Sequence, residues 1–523
     1  MKKDRIKKIL LQEPFILFCG AGISVEAPTL IPSWNSLRDT ILSAICESDN
    51  YLSELLPELL GQNIKPEIVF SAFNKQIPKF VNTIVSPLTS IEPNQNHIII
   101  AKLAKLGLLR TIFTTNWDTC IEKALLNENV SFLQFTEEDL KDPFDMLKSI
   151  KLEKLHIFKL HGCASKPSSI IATIEDLTKQ KPMKWRTILK FYILSSNSIF
   201  WGFKGSELNL GDYLGITHKG PIENNVIITG EIDNKNLNKY IFWDEYEKGT
   251  IGENVKNYGE LLNKEDPQNP FRRKNFVITQ RAFPECFINM LPKEIIESFF
   301  QKDYTLSRNK IENLIRDSLI ELLNDQSTFI NASFGICELL DNLGLNDKLY
   351  DFILHLEDKP KNQLQAAETQ ILKGKTLLES KYFIDAEQEL NRAINILDKI
   401  EGKDADLLKA IVFNNLGLIR YFEGFHEWAL KEYKKAVELF EHYNAVESSG
   451  ILCNIALVFN SQGDKSKAFG LFATDLDFCK KNGNIYGTIK TMESLKMISI
   501  KLNDVRNTEI IQEIIDELTQ MLK

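Results

Sequence analysis

The sequence predicts an α/β N-terminal domain on a Rossmann-like open parallel sheet, followed by an all-α helical-repeat domain. Three observations carry this. Four short apolar segments each run into a small polar or glycine-containing turn, helical periodicity takes over almost everywhere after residue 305, and one pattern of small and large residues recurs three times beyond residue 361. At 523 residues the chain is too long for a single hydrophobic core, so several parts are required. The division read from the sequence is 1–300 for the α/β domain, 301–360 for a helical connector and 361–523 for the repeats.

The first strand is FILFC at 15–19, followed at once by Gly20-Ala21-Gly22-Ile23-Ser24 and a helical pattern over 34–46. A helix over 96–109 leads into the strand TIFTT at 111–115, then Asn116-Trp117-Asp118 and a helix over 119–126. The strand HIFKL at 156–160 runs into His161-Gly162, and SIFWGF at 198–203 runs into Gly205-Ser206. Strands of this kind build a parallel sheet that binds ligands at its carboxyl edge. Strand candidates NVIIT (225–229) and KYIFW (239–243), with a helix near 293–300, are assigned to the edge of the same domain.

Glu357-Asp358-Lys359-Pro360-Lys361 reads as a break between helical parts. Beyond it, Gly374, Gly417 and Ala456 each lie twelve residues before Ala386, Ala429 and Ala468, and four residues later come Leu390, Tyr433 and Phe472. Small residues let paired helices approach closely, and the large one fills the space between repeats. Gly424 and Gly463 fall at inter-helix turns. The pattern resembles the tetratricopeptide repeat, with steps of 43 and 39 residues instead of the usual 34 or so. Residues 485–520 read as a degenerate fourth repeat or a capping pair.

Composition narrows the function classes. A net charge of −8 argues against a dedicated nucleic-acid binder. The basic N-terminus carries an apolar run that stops at Leu11, too short for a signal core or a spanning helix, so a cytoplasmic protein with no membrane partner is expected. The eight cysteines form no C-x-x-C pair and read as reduced core residues, and no structural zinc is expected.

Gly20-Ala21-Gly22 alone fits either a phosphate turn or a tight strand-to-helix turn without ligand. Val25 stands at the third glycine position of the dehydrogenase fingerprint, which disfavours a hydride-transferring enzyme. Gly20-Ala21-Gly22-Ile23-Ser24, Thr114-Thr115-Asn116-Trp117-Asp118 and Lys159-Leu160-His161-Gly162 nevertheless occur in this order, each just after a predicted strand. Together they resemble the sirtuin-like family over about residues 10–215, and Pro32-Ser33-Trp34 is similar to the proline-containing segment that follows its glycine turn. The resemblance is greatest to bacterial sirtuin-like domains of antiphage defence proteins. It implies NAD as the substrate, with no further cofactor.

The resemblance implies that His161, Asn116 and Asp118 are catalytic, and that Gly20, Ala21, Gly22, Ser24, Thr115, Gly202 and Ser206 bind NAD. The chemistry agrees. Expelling neutral nicotinamide from a cationic pyridinium needs no strong acid, and one base suffices; a histidine, with an ordinary pKa of about 6.5, suits that task. Asn116 is expected to hold the nicotinamide end or a water, and Asp118 to bond the carboxamide or stabilise oxocarbenium charge. The bland alternatives stay open: His161 as a strand-end histidine, and Asn116 and Asp118 as an N-cap for the next helix. Trp117, His97 and His156 are expected to be structural. Around Gly202-Phe203-Lys204-Gly205-Ser206 the match to the family's adenosine-side turn is ambiguous by several residues.

The leading reading is an NAD glycohydrolase, a homo-oligomer held inactive until a protein or ligand, such as a phage component, is sensed at the repeats. Its alternatives are a non-catalytic NAD or ADP-ribose sensor, a transferase or deacylase, and a repeat scaffold with a degenerate first domain. The missing C-x-x-C pairs count against a deacylase of the zinc-bearing type.

Overall fold

Strands buried on both faces need not alternate in polarity, and the first strand, β1 (Phe15–Cys19), is apolar and buried throughout. The computed structural model of the chain describes residues 14–25, 28–62, 64–139, 154–178, 198–201, 275–277, 310–443, 450–501 and 504–522. Five more strands follow: β2 (Leu109–Thr114), β3 (Phe132–Phe135), β4 (Leu155–Lys159), β5 (Ser198–Trp201) and β6 (Asn275–Val277). They form one sheet in the order β3-β4-β2-β1-β5-β6, and every pairing is parallel. This is the open parallel sheet expected from the sequence.

Register is fixed by an aromatic ladder across four strands. Phe18 stacks on Phe113 and Phe113 on Phe158, with ring centroids 4.9 Å apart in each pair, and Phe158 stacks on Phe135 at 5.2 Å. A slip of one residue would turn every ring to the opposite face. That opposite face carries Leu17, Ile112 and Ile157, packed beneath the helices Gln95–Lys105 and Cys120–Asn127.

The chain divides into two compact units. One comprises residues 1–40, 81–171 and 180–318, and contains the sheet. The other comprises 41–80, 172–179 and 319–523. Its described elements are helices, among them Asn50–Gly61 and Pro66–Gln76, for which the sequence reading had no assignment. Within that unit, Lys75 pairs with both Glu175 and Glu338 at 3.1 Å, and Ser71 Oγ donates to Glu175 Oε2 at 2.6 Å.

The recurrent pattern becomes three helix pairs: Gln363–Glu379 with Phe383–Leu397, Lys403–Phe422 with His426–His442, and Ile451–Ser461 with Lys465–Asn482. A fourth pair, Ile485–Lys501 and Val505–Leu522, follows. The sequence reading has the large residue filling the space between repeats; in the first two repeats it meets the small residue across its own helix pair. A Cβ added at Gly374 would lie 2.8 Å from Leu390 Cγ, and one at Gly417 would lie 2.5 Å from Tyr433 Cε1. Gly424 and Gly463 close the inter-helix turns at φ +85° and +90°, and Lys381 takes the same left-handed backbone at φ +64° in the first repeat.

Element ends differ from expectation for local reasons. The helix expected over 96–109 stops at Lys105, because Gly107 at φ +72° terminates it and the amides of Gly107 and Leu108 turn back to Ala104 and Leu103. The strand β2 therefore starts at Leu109 and ends at Thr114, one residue short of the predicted end. Strand β3 was missed; its four residues are all half-buried and too few to show a period. The candidates at 225–229, 239–243 and 293–300 lie outside the described residues.

Candidate active site

The carboxyl ends of β1, β2 and β4 lie side by side, and the three sequence motifs leave from them. After β1 the chain makes a single turn of 3-10 helix over Ala21–Ile23. Within it the Ile23 amide donates to the Gly20 carbonyl at 3.2 Å and the Ser24 amide to the Ala21 carbonyl at 2.9 Å. Two of the turn's amides are thus consumed locally. Ala21 is exposed and Gly22 half-buried, so their backbone is the part of the turn open to a ligand. Asn94 and Asn96 both donate their side-chain amides to the Ile23 carbonyl at 2.9 Å, which pins the turn in place.

Ser24 is fully buried and forms the centre of a polar network. His97 lies in the first turn of the helix Gln95–Lys105, where its Nδ1 accepts the Asn94 amide at 3.1 Å in a capping box. That bond places the ring proton on Nε2, which donates to Ser24 Oγ at 3.1 Å. Asn116 Nδ2 donates to the same oxygen at 3.0 Å, and the hydroxyl donates to Asp118 Oδ2 at 3.0 Å. Two bonds accepted and one donated exhaust a hydroxyl. The Ser24 hydroxyl, expected to meet phosphate or ribose, is shared in this structure among Asn116, Asp118 and His97.

Burial dominates the electrostatics here. It pushes the His97 imidazole down to about 4, against the opposing pull of Asp118, so the ring is neutral at neutral pH. Burial pushes the Asp118 carboxyl upward, but His97, Lys159, the Cys120 amide and the Ser24 hydroxyl outweigh it and hold the group below its ordinary range. Asp118 Oδ1 accepts the Cys120 amide at 3.0 Å, so Asp118 takes the first amide of the helix Cys120–Asn127, whose N-cap is Thr119, and belongs to the network at once.

Asn116 is 6% exposed, and its Oδ1 has no hydrogen-bond partner among the described residues. A buried acceptor left open costs free energy unless a ligand or water supplies a donor. Thr115 is half-buried and its amide donates to the Cys19 carbonyl at 3.3 Å. Trp117 is 8% exposed and meets Trp34 edge to face at 4.8 Å, the packing role expected of it.

The loop after β4 is laced to the loop after β2. The Leu160 amide donates to the Thr114 carbonyl and the Ala164 amide to the Trp117 carbonyl, each at 2.8 Å, so His161 is held beside the Asn116 loop. His161 is half-buried, and its carbonyl accepts the Ile171 amide at 3.0 Å. Gly162 sits at φ +85°, where a Cβ would lie 2.1 Å from the Ser169 carbonyl oxygen. The glycine after the histidine is thus a steric requirement. Gly202 and Ser206, expected at the adenosine side, lie outside the described residues.

His97, Asp118 and Cys120 bring one potential metal-ligand atom each within 4.8 Å of one another. The hydrogen bonds argue that this group is a network and not a cation site, because Nδ1 of His97 accepts an amide and Nε2 carries the proton, leaving no lone pair for a metal. Sequence reasoning gave His97 only a structural role. Its signal was the Asn94-x-x-His97 spacing, which reads as an N-cap with its third-position partner. His156, expected to be structural, is buried in β4.

Residues 110–219 match the family described as the SIR2-like domain. Over 218 residues the chain is 29% identical to the NAD(+) hydrolase ThsA of Acinetobacter baumannii (strain 532279), covering 40% of each protein. It is 26% identical over 223 residues to the NAD(+) hydrolase ThsA of Bacillus cereus (strain MSX-D12), covering 40% of this chain and 41% of that one. Among solved structures, a signal transduction ATPase with a tetratricopeptide repeat sensor from Pyrococcus horikoshii aligns with 99% of this chain and 83% of its own at 12% identity and a TM-score of 0.33. Part of the sheet-bearing unit is thus similar to a SIR2-like domain.

Proposed function

We propose that this chain is an NAD glycohydrolase that converts NAD to nicotinamide and ADP-ribose. The observation that carries the reading is the open, buried Oδ1 of Asn116, fixed by Ser24 beside the His161 loop at the carboxyl edge of a parallel sheet. The likeness to two NAD(+) hydrolases supports it. In this reading the Ala21 and Gly22 backbone faces the pyrophosphate, Asn116 orients the nicotinamide end or the attacking water, and the buried anionic Asp118 stabilises the oxocarbenium charge as the C–N bond breaks. His161 takes the proton from water as its oxygen joins the ribose carbon. The electron pair of the broken bond leaves with neutral nicotinamide.

The wider reading is an antiphage effector that depletes NAD when the helical repeats engage a trigger, working as a homo-oligomer in the cytoplasm. It is supported by the antiphage resemblance of the three motifs and by the helix pairs, which stack in an architecture suited to recognition. Two assays test it. With its activator present, the purified chain is expected to release nicotinamide and ADP-ribose from NAD, and His161→Ala to lose that release; equal rates would refute the assignment. In cells, NAD is expected to fall only when the wild-type chain meets phage, and a pool that falls equally with His161→Ala counts against the effector reading.

A further inference from the structure

Strand β4 is buried at every position, yet it ends in Lys159, which is 0% exposed. A lysine in such a strand is costly to bury, and its partner does not cheapen it: Glu122 of the helix Cys120–Asn127, 2.8 Å away, is itself 6% exposed. Well-packed apolar residues in place of a buried ion pair often leave a fold equally stable or more so. Stability alone therefore gives no reason for the pair. Its geometry does. The ammonium also donates to the Asn116 carbonyl at 3.4 Å and to the Asp118 carbonyl. An ammonium has three donors, and these three oxygens take them all. The two carbonyls flank Trp117 in the loop whose side chains reach Ser24 from Asn116 and Asp118. Burial alone would lower the Lys159 ammonium, but Glu122, Cys163 and Asp118 hold it above its ordinary value, so it is charged.

We propose that Lys159 is a positioning residue for the cleavage reaction: held by Glu122, it clamps the backbone of Asn116 and Asp118 and so fixes the angle at which the Asn116 amide meets the substrate. The inference rests on the NAD-cleavage reading. It concerns the rate and not ligand affinity, because the buried ammonium acts on the loop's backbone carbonyls and is not itself exposed to a ligand. Misplacing a reacting group by about 1 Å costs roughly 10²-fold in rate.

The test is steady-state nicotinamide release by the full chain as wild type, K159M/E122L and E122Q, with thermal unfolding of each. Removing both charges is expected to leave unfolding near wild type and KM within about 3-fold, while kcat falls by roughly 10²-fold. Glu122→Gln keeps the amine on both carbonyls, since even an uncharged amine retains two donors, but loosens its hold, and is expected to lower kcat well short of the double variant's loss. A folded K159M/E122L with wild-type kcat overturns the proposal. So does an E122Q whose kcat falls as far as that of the double variant, and this second arm decides the matter if the double variant fails to fold. If the wild-type chain, with its activator present, releases no more nicotinamide than His161→Ala, the cleavage reading fails and the positioning role fails with it.

Discussion

The polar network at the sheet's carboxyl edge and the helix pairs of the repeats are both buried, but they are held together by opposite means. Around Ser24 every contact is a directed hydrogen bond, and one hydroxyl serves His97, Asn116 and Asp118. Between the paired helices the closest approaches are set by steric fit: Gly374 leaves room for Leu390, and Gly417 for Tyr433. A directed network fixes the angles of a few atoms and loses much when one member goes, because the others are left buried and unpaired. A packed interface fixes distances and yields in proportion to the volume changed. The comparison teaches where this chain keeps angular precision, at the edge that would meet a substrate, and where it keeps only spacing.

The largest effect is expected at Gly162. Alanine there needs both a left-handed backbone and room where the Ser169 carbonyl already stands, so Gly162→Ala should destabilise by about 4 kcal/mol or more and disrupt the His161 loop. Denaturant unfolding measures it. A loss under about 1 kcal/mol would show that the loop relaxes freely.

The network should also announce itself through pH. His97 has a folded value of about 4 against an ordinary 6.5, so the unfolded chain binds the extra proton first as pH falls. The stability from a neutral His97 is complete above about pH 6.5 and is lost as pH falls toward about 4, a change on the order of 3 kcal/mol. His97→Gln should therefore be less stable than wild type at pH 7, and the gap should close toward pH 4. A gap that stays constant over that range would mean that His97 titrates alike in both states.

The packed interface should respond more mildly. Gly417→Ala is expected to cost about 1–3 kcal/mol, because the new methyl meets the Tyr433 ring. Gly470, in the helix Lys465–Asn482, has nothing within 4 Å of an added Cβ, and its alanine variant should gain about 0.5–1 kcal/mol. Calorimetry of the two variants sharpens the contrast, and equal signs would remove it. The smallest effect belongs to the first repeat's turn, where Lys381→Gly should gain up to about 1 kcal/mol by relieving a left-handed lysine.

Much of this was legible in the residues. The apolar runs at β1, β2, β4 and β5 announce a parallel sheet, because a strand buried on both faces leaves nothing else in its pattern. The Gly374, Gly417 and Ala456 series announces the helix pairs, because close helix approach demands small residues at a fixed offset. Asn116, Asp118 and His161 stood out because each follows a strand. What escaped was whatever depends on long-range neighbours. Ser24 looked like a ligand contact, since nothing in its own segment reveals that residues 73, 92 and 94 positions away converge on its hydroxyl. Lys159 was visible as a charge at the end of an apolar strand, but its acceptors lie 41 and 43 residues back. The helices at 50–61 and 66–76 escaped because their partners, the helices at 326–342 and 346–356, lie more than 250 residues further along the chain, within the second unit.

The central claim is that the network exists to aim the Asn116 amide at NAD. The most direct test compares Asn116→Ala with wild type, measuring NAD affinity by calorimetry and nicotinamide release by chromatography on the same protein. The account predicts affinity within about 10-fold of wild type and release reduced by about 10²–10³-fold, the loss that follows removal of a transition-state hydrogen-bonding group. Release at the wild-type rate by a folded Asn116→Ala protein would contradict it.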